Sequence, residues 1–170
     1  MKPPANLPGV YLKPGELIFA KNPTLVTTVL GSCISITMIN HKLKIGAIIH
    51  AMLPYYKNSG DAKNKKDPFN YVDRSIEFIL SEFEKNGVKI KDIEAKLFGG
   101  ANMFAGSNQK NGTIGYQNSK VAIEIMKQSG IEPVKIDVGG TQSRKIIFNT
   151  ASGEVWLKRI NRENSNLNQI

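Results

Sequence analysis

The chain has 170 residues, 41% of them hydrophobic and 22% charged; this describes one ordinary globular domain able to bury a core and excludes a disordered chain. Lysine and arginine outnumber aspartate and glutamate by 23 to 14, a net charge of +9 that favours acidic partners; no nucleic-acid motif accompanies the scattered lysines, so nucleic acid is not the expected partner. The single cysteine, Cys33, excludes an internal disulfide, offers no zinc constellation and suits a reducing cytoplasm. No stretch approaches membrane-spanning length, and the N-terminal Met-Lys-Pro-Pro-Ala-Asn-Leu-Pro-Gly lacks the apolar core of a signal peptide, so no direct membrane insertion is expected.

In chain order, residues 1–13 read as a proline-punctuated lead-in, loosely ordered, before a domain over 14–160. Four strands are predicted in succession, Glu16 to Ala20, Val26 to Leu30, Ile34 to Ile39 and Lys44 to Ala51. In the third, apolar Ile34, Ile36 and Met38 alternate with polar Ser35 and Thr37, the period of a half-buried strand. Lys57 to Asn70 is a long polar loop, of a kind that is often functional. A helix follows from about Asn70 to Asn86, with Val72, Ile76, Ile79, Leu80 and Phe83 at helical spacing and Gly87 as its stop. Ile93 to Phe98 is a strand that runs into Gly99-Gly100. After a second loop, Asn102 to Thr113, Val121, Ala122, Ile125 and Met126 mark a helix over roughly Tyr116 to Ser129, ended by Gly130. Strands at Pro133 to Val138, Arg144 to Asn149 and Glu154 to Ile160 close the domain, and 161–170 is a polar tail. Many strands with two amphipathic helices give a layered α/β or α+β domain, the helices covering the outside of a sheet.

Parity makes Cys33 the chemical focus. It shares the Ser35/Thr37 face of its strand, and in the next run His50 falls opposite to the Leu43, Ile45, Ala47 and Ile49 face. A hairpin turning at His41-Lys42 pairs positions whose numbers sum to 83, setting Cys33 directly across from His50, within reach for proton exchange. A free thiol is mostly protonated at neutral pH and needs a base to become a nucleophile; His50 is the natural acceptor. A reactive Cys33 would alkylate quickly at neutral pH, and a structural one would not. His41 lies in the turn and receives no role. A third group usually orients the imidazole, and Thr27 and Thr28 on the adjoining strand are both candidates. Gly99-Gly100 and Gly139-Gly140 could present N–H groups to an oxyanion, although turns are the plainer reading. From these residues alone, a protease, amidase, thioesterase, acyltransferase or deamidase would all be open.

A set of segments in order narrows the choice. Thr28-Val-Leu-Gly-Ser-Cys33, Ile49-His50-Ala-Met-Leu-Pro54, Tyr71-Val-Asp73, Ala95-Lys-Leu-Phe-Gly-Gly-Ala-Asn-Met-Phe104, Ile114-Gly115-Tyr-Gln-Asn118, and Asp137-Val-Gly-Gly140 followed by Arg144 resemble the chemoreceptor glutamine deamidase family CheD. The resemblance spans about residues 14–160. It implies an α/β sandwich of layered β-sheets, similar to the catalytic fold of cytotoxic necrotising factor toxins. It also implies a cytoplasmic protein-glutamine glutaminase without cofactor or metal, which converts selected glutamines of chemoreceptor cytoplasmic helices to glutamate and ammonia through a thioester. A glutamyl methyl ester would be an easier electrophile for the same machinery. The implied site is Cys33, His50 and Thr27, the threonine lying six residues before the cysteine. The implied partners are the chemoreceptor helices and a CheC-type phosphatase that the family stimulates; a non-catalytic adaptor for the same partners is the alternative. Ser75 and Ser143 depart from the alanine and glycine common at those places, away from the catalytic set.

Overall fold

The computed structural model describes residues 3–56, 67–102 and 112–160. These described residues form nine strands, β1 (Gly9–Tyr11), β2 (Leu17–Ala20), β3 (Leu25–Leu30), β4 (Ile34–Asn40), β5 (Ile45–Ile49), β6 (Glu94–Gly99), β7 (Lys135–Val138), β8 (Ser143–Asn149) and β9 (Val155–Ile160), with two α-helices, α1 (Val72–Lys85) and α2 (Ile114–Gln128). They form a four-stranded sheet in the order β1-β3-β8-β9 and a five-stranded sheet in the order β2-β5-β4-β6-β7.

Two apolar clusters define three layers. Ile34, Ile36 and Met38 of β4, Ile45, Ala47 and Ile49 of β5, and Ala95 and Leu97 of β6 meet Val72, Ile76, Ile79 and Phe83 of α1 and Val121, Ala122 and Met126 of α2. Both helices therefore cover one face of the larger sheet, as their apolar stripes predict. On its other face, Ile48 and Phe98 pack against Val26, Leu30, Ile146 and Phe148 of the smaller sheet. The result is a mixed α/β domain of two stacked sheets with helices outside, the fold class expected from the sequence.

The alternation in β4 has a different meaning from the one expected. All seven of its residues are buried, because the smaller sheet covers the Ser35/Thr37 face. That face is an interior between sheets and not a solvated surface. The lead-in of residues 1–13 is also corrected: Gly9–Tyr11 form an edge strand that pairs in parallel with β3, and Leu12 is fully buried. Few contacts announce this strand in the sequence, since its three side chains are exposed and its cohesion lies in the backbone.

The β4–β5 register is corrected as well. Thr37 pairs with Ile48 and Asn40 with Ile45, and Ile34 bridges Ala51, so paired numbers sum to 85 where 83 was expected. The turn spans four residues, with Lys44 at φ +54°, and Asn40 organises it by accepting a hydrogen bond from the Leu43 N–H at 2.8 Å, a use of asparagine typical of turns. A shift of two keeps every side chain on its expected face, but it sets Ser35 across from His50 and makes Cys33 its diagonal neighbour. Diagonal positions lie about 7–8 Å apart, with Cβ atoms somewhat closer.

Of the two long loops, residues 57–66 and 103–111 lie outside the described residues, as does the tail 161–170. What is described of the first loop is a 3-10 turn, Pro68–Asn70, capped by the Asp67 carboxylate. Ser75, buried at the start of α1, donates to the Phe69 carbonyl at 3.1 Å. No helix among the described residues is long and apolar enough to cross a membrane.

Candidate active site

Cys33 stands immediately before β4, half-buried and packed at the margin of the apolar cluster between the sheets. The turn that carries it is held by its carbonyls. The Gly31 carbonyl accepts from the Ala101 N–H at 2.8 Å and the Cys33 carbonyl from the Gly100 N–H at 2.8 Å, while the Ser32 carbonyl accepts from Asn118 Nδ2 at 3.1 Å. Gly99 is required here for two reasons. Its φ of +112° is strained for any other residue, and a Cβ there would lie 2.2 Å from the Cys33 carbonyl oxygen.

His50 follows β5 and is 1% exposed. Its backbone is fixed on both sides, its N–H donating to Glu16 O at 3.0 Å and its carbonyl accepting from the Gly15 N–H at 2.7 Å. The ring faces the space between the sheets, and its Nδ1 lies 2.7 Å from the Thr28 hydroxyl oxygen. The same hydroxyl donates to the Leu12 carbonyl at 2.8 Å. A hydroxyl has one proton, and a carbonyl can only accept. The Thr28 proton therefore belongs to Leu12, and the imidazole must supply the proton of its own bond. Nδ1 is thus the protonated nitrogen and Nε2 carries a free lone pair. Nε2 is buried and has no hydrogen-bond partner among the described residues.

Thr27 is not the threonine at the imidazole. In β3 the residues Val26, Thr28 and Leu30 are buried while Leu25, Thr27 and Val29 are only partly so; the alternate set points away from the larger sheet. The reading of Thr27 as the orienting group gives way to Thr28, because in a strand a shift of one residue exchanges the faces.

Burial between the sheets pushes the Cys33 thiol above its ordinary pKa, partly offset by its own backbone N–H. Burial lowers His50 from 6.5 to about 4, against the opposing influence of the Leu12 carbonyl and the Glu16 charge. Both shifts favour neutral forms. The resting pair is thiol and neutral imidazole, not a thiolate–imidazolium pair, so fast alkylation at neutral pH is not what this environment favours.

One N–H of each glycine pair proposed for an oxyanion is engaged in structure. The Gly100 N–H serves the Cys33 carbonyl, and the Gly139 N–H serves the Gly99 carbonyl at 2.9 Å. The Cys33 N–H interacts with its own sulfur and favours the charged form of the thiol. His41, given no role, pairs with Glu94 at 2.9 Å on the surface. Among the described residues no three His, Cys, Asp or Glu side chains converge as a metal site would require.

Two side chains that shape the site escaped the reading of single residues. Arg144 of β8 is 1% exposed; it spans the gap between the sheets, donating to the Gly99 and Gly139 carbonyls and pairing with Asp137 at 3.1 Å. Asn118 of α2 is fully buried and donates to both Ser32 O and Met52 O. Its signal was present: an amide three and four residues before Val121 and Ala122, on the apolar face of the helix. The Leu12 carbonyl had no such signal, since a backbone acceptor leaves no mark in a sequence.

Known proteins match this chain over most of its length. The family model described as CheD chemotactic sensory transduction matches residues 52–159. A probable chemoreceptor glutamine deamidase CheD 2 of Geobacter sulfurreducens is 45% identical over 92% of this chain and 93% of its own. A probable chemoreceptor glutamine deamidase CheD of Oleidesulfovibrio alaskensis is 39% identical over 92% of this chain and 74% of its own. A probable chemoreceptor glutamine deamidase CheD 1 of Methanosarcina acetivorans is 37% identical over 85% of this chain and 87% of its own. By its match to the family model and by its identity to relatives almost end to end, the chain belongs to the CheD family.

Proposed function

We propose that this protein is a glutamine deamidase of chemotaxis that hydrolyses side-chain amides of selected glutamines on the cytoplasmic helices of chemoreceptors. The observation that carries the reading is the proton arrangement Leu12 O···Thr28···His50, which leaves Nε2 as a bare base on the face that Cys33 shares. The names of the relatives supply the substrate class.

The chemistry begins with two neutral groups. As the glutamine carboxamide reaches Cys33, His50 Nε2 takes the thiol proton and sulfur attacks the amide carbon. Because both pKa shifts oppose a standing ion pair, proton transfer accompanies the attack and does not precede it. The Cys33 N–H stabilises the developing oxyanion. Nδ1–H keeps its bond to Thr28, which steadies the imidazolium as it forms. The imidazolium returns its proton to the leaving nitrogen, the C–N bond breaks, and ammonia departs from a glutamyl thioester. Water, deprotonated by Nε2, then attacks the thioester carbon; the C–S bond breaks, and glutamate and the thiol are released.

The test is incubation of wild type and Cys33→Ala with the cytoplasmic domain of a cognate chemoreceptor, followed by ammonia release and peptide mass spectrometry. Conversion of glutamine to glutamate by the wild type alone is expected. Receptor binding without conversion by either protein would replace this reading with that of an adaptor.

A further inference from the structure

Asn118 belongs to neither the nucleophile's segment nor the base's, yet it touches both. Its Nδ2 donates at 3.1 Å to the carbonyl of Ser32, the residue before Cys33, and at 2.9 Å to the carbonyl of Met52, two residues after His50. Both amide protons are thereby used. The amide is fully buried, and its Oδ1 has no partner among the described residues. A buried acceptor without a partner costs about 1–3 kcal/mol, so this side chain is not what stability alone would place on the apolar face of a helix.

The helix that carries it is seated on the same turn. A Cβ on Gly115 would lie 2.5 Å from the Gly100 carbonyl oxygen, so the first turn of α2 rests directly on the chain that holds the Gly31 and Cys33 carbonyls. Ser119 closes the seat, its hydroxyl donating to the Gly115 carbonyl at 2.8 Å. Three successive carbonyls, those of Gly31, Ser32 and Cys33, are each held by a donor from this neighbourhood, and Asn118 supplies the middle one. It is also the only one of the three donors that reaches the His50 strand as well. Cys33 and His50 are diagonal and not directly opposed; on one side of them Ile34 and Ala51 exchange a pair of backbone hydrogen bonds, both 3.0 Å, and Asn118 adds a second tie between the two segments through Ser32 and Met52.

We propose that Asn118 is a positioning residue for the Cys33–His50 pair: by joining the Ser32 and Met52 carbonyls it holds the sulfur at reach of Nε2 and keeps the Cys33 N–H aimed at the attacked amide. This rests on the deamidase reading for its kinetic consequence, though not for its effect on the thiol. Loss of the tie misplaces reacting atoms by a fraction of an ångström to an ångström, an error that costs about 100-fold in turnover. It also opens the turn to water, so the thiol loses part of the burial that raises its pKa.

Asn118→Ala and the isosteric Asn118→Asp, whose carboxylate cannot donate to either carbonyl, are compared with wild type and with Gln128→Ala, an exposed position of the same helix. The measurements are kcat and KM on a chemoreceptor cytoplasmic fragment and the pH profile of Cys33 alkylation by iodoacetamide, at a temperature where circular dichroism shows each variant folded. The proposal expects kcat to fall by about 100-fold with KM within twofold, together with faster alkylation of Asn118→Ala at neutral pH. Slower turnover and a more reactive thiol in one folded protein are opposite movements that a simple loss of stability does not produce. If kcat stays within threefold in both variants, or if it falls with an unaltered alkylation profile, Asn118 does not position Cys33. If the wild type fails to deamidate while the alkylation profile of Asn118→Ala still moves, the positioning role stands and the substrate reading falls.

Discussion

Thr27 and Thr28 are identical in side chain and adjacent in sequence, and only strand parity separates them. Thr28 shares the buried face with Val26 and Leu30, where its oxygen receives the Nδ1 proton and passes its own to Leu12. Thr28→Val keeps the shape of the side chain and removes both bonds, which frees the ring to adopt the other tautomer. Deamidation should then fall by about 100-fold, Thr28→Ser should retain most of it, and Thr27→Val should stay within twofold of wild type. Rate assays on a receptor fragment check this, and equal losses in the Thr27 and Thr28 variants would refute the assignment. That Cys33 and His50 share a face was legible because the period of a strand is two, and it survived an error in register. The third residue was not, since a run of two threonines offers one to each face and nothing local says which face is covered.

At the scale of elements, strands and helices could be read to within a few residues wherever apolar residues repeat at periods of 2 or 3.6. β1 could not, because it has no buried side chains and exists through its hydrogen bonds to β3. The contact between the two sheets is also a matter of elements. Arg144 pairs across from Leu30 in the smaller sheet and reaches the ends of β6 and β7 in the larger one, where Asp137 binds both it and Arg159, the latter at 2.8 Å. Arg144→Met would leave the Gly99 and Gly139 carbonyls without this donor and Asp137 with one partner fewer. Removing one side of a buried pair costs about 3–5 kcal/mol; the loss here should lie near the lower end, as Asp137 keeps Arg159. Arg144→Lys should recover only part, since an ammonium lacks the planar fork that serves two carbonyls and a carboxylate together. Urea midpoints measure both, and a loss below about 1 kcal/mol for Arg144→Met would mean that the guanidinium is not a tie between the sheets.

For the molecule as a whole, the buried imidazole makes stability depend on pH. His50 titrates at about 4 in the folded protein, against 6.5 for an unperturbed histidine. Between these values the unfolded chain binds a proton that the native protein does not, so acidification favours unfolding. Stability present above pH 6.5 is lost as pH falls toward 4, by about 3 kcal/mol in all. Denaturant titrations of wild type and His50→Gln across this range should differ by that amount in their pH dependence. Parallel curves would show that His50 is not held neutral by its surroundings.

The sequence by itself determined that Cys33 and His50 are the candidate pair, the face that they share, the helices that cover the sheet and the family to which the chain belongs. All of these follow from side-chain type, periodicity and ordered motifs. Tertiary structure alone decided that the polar face of β4 lies between two sheets, that Thr28 and not Thr27 meets His50, and that Leu12, Asn118 and Arg144 hold the site. The reason is physical: burial, pKa and hydrogen-bond partnership depend on what packs against a face from distant parts of the chain, and a local pattern records only which residues share that face.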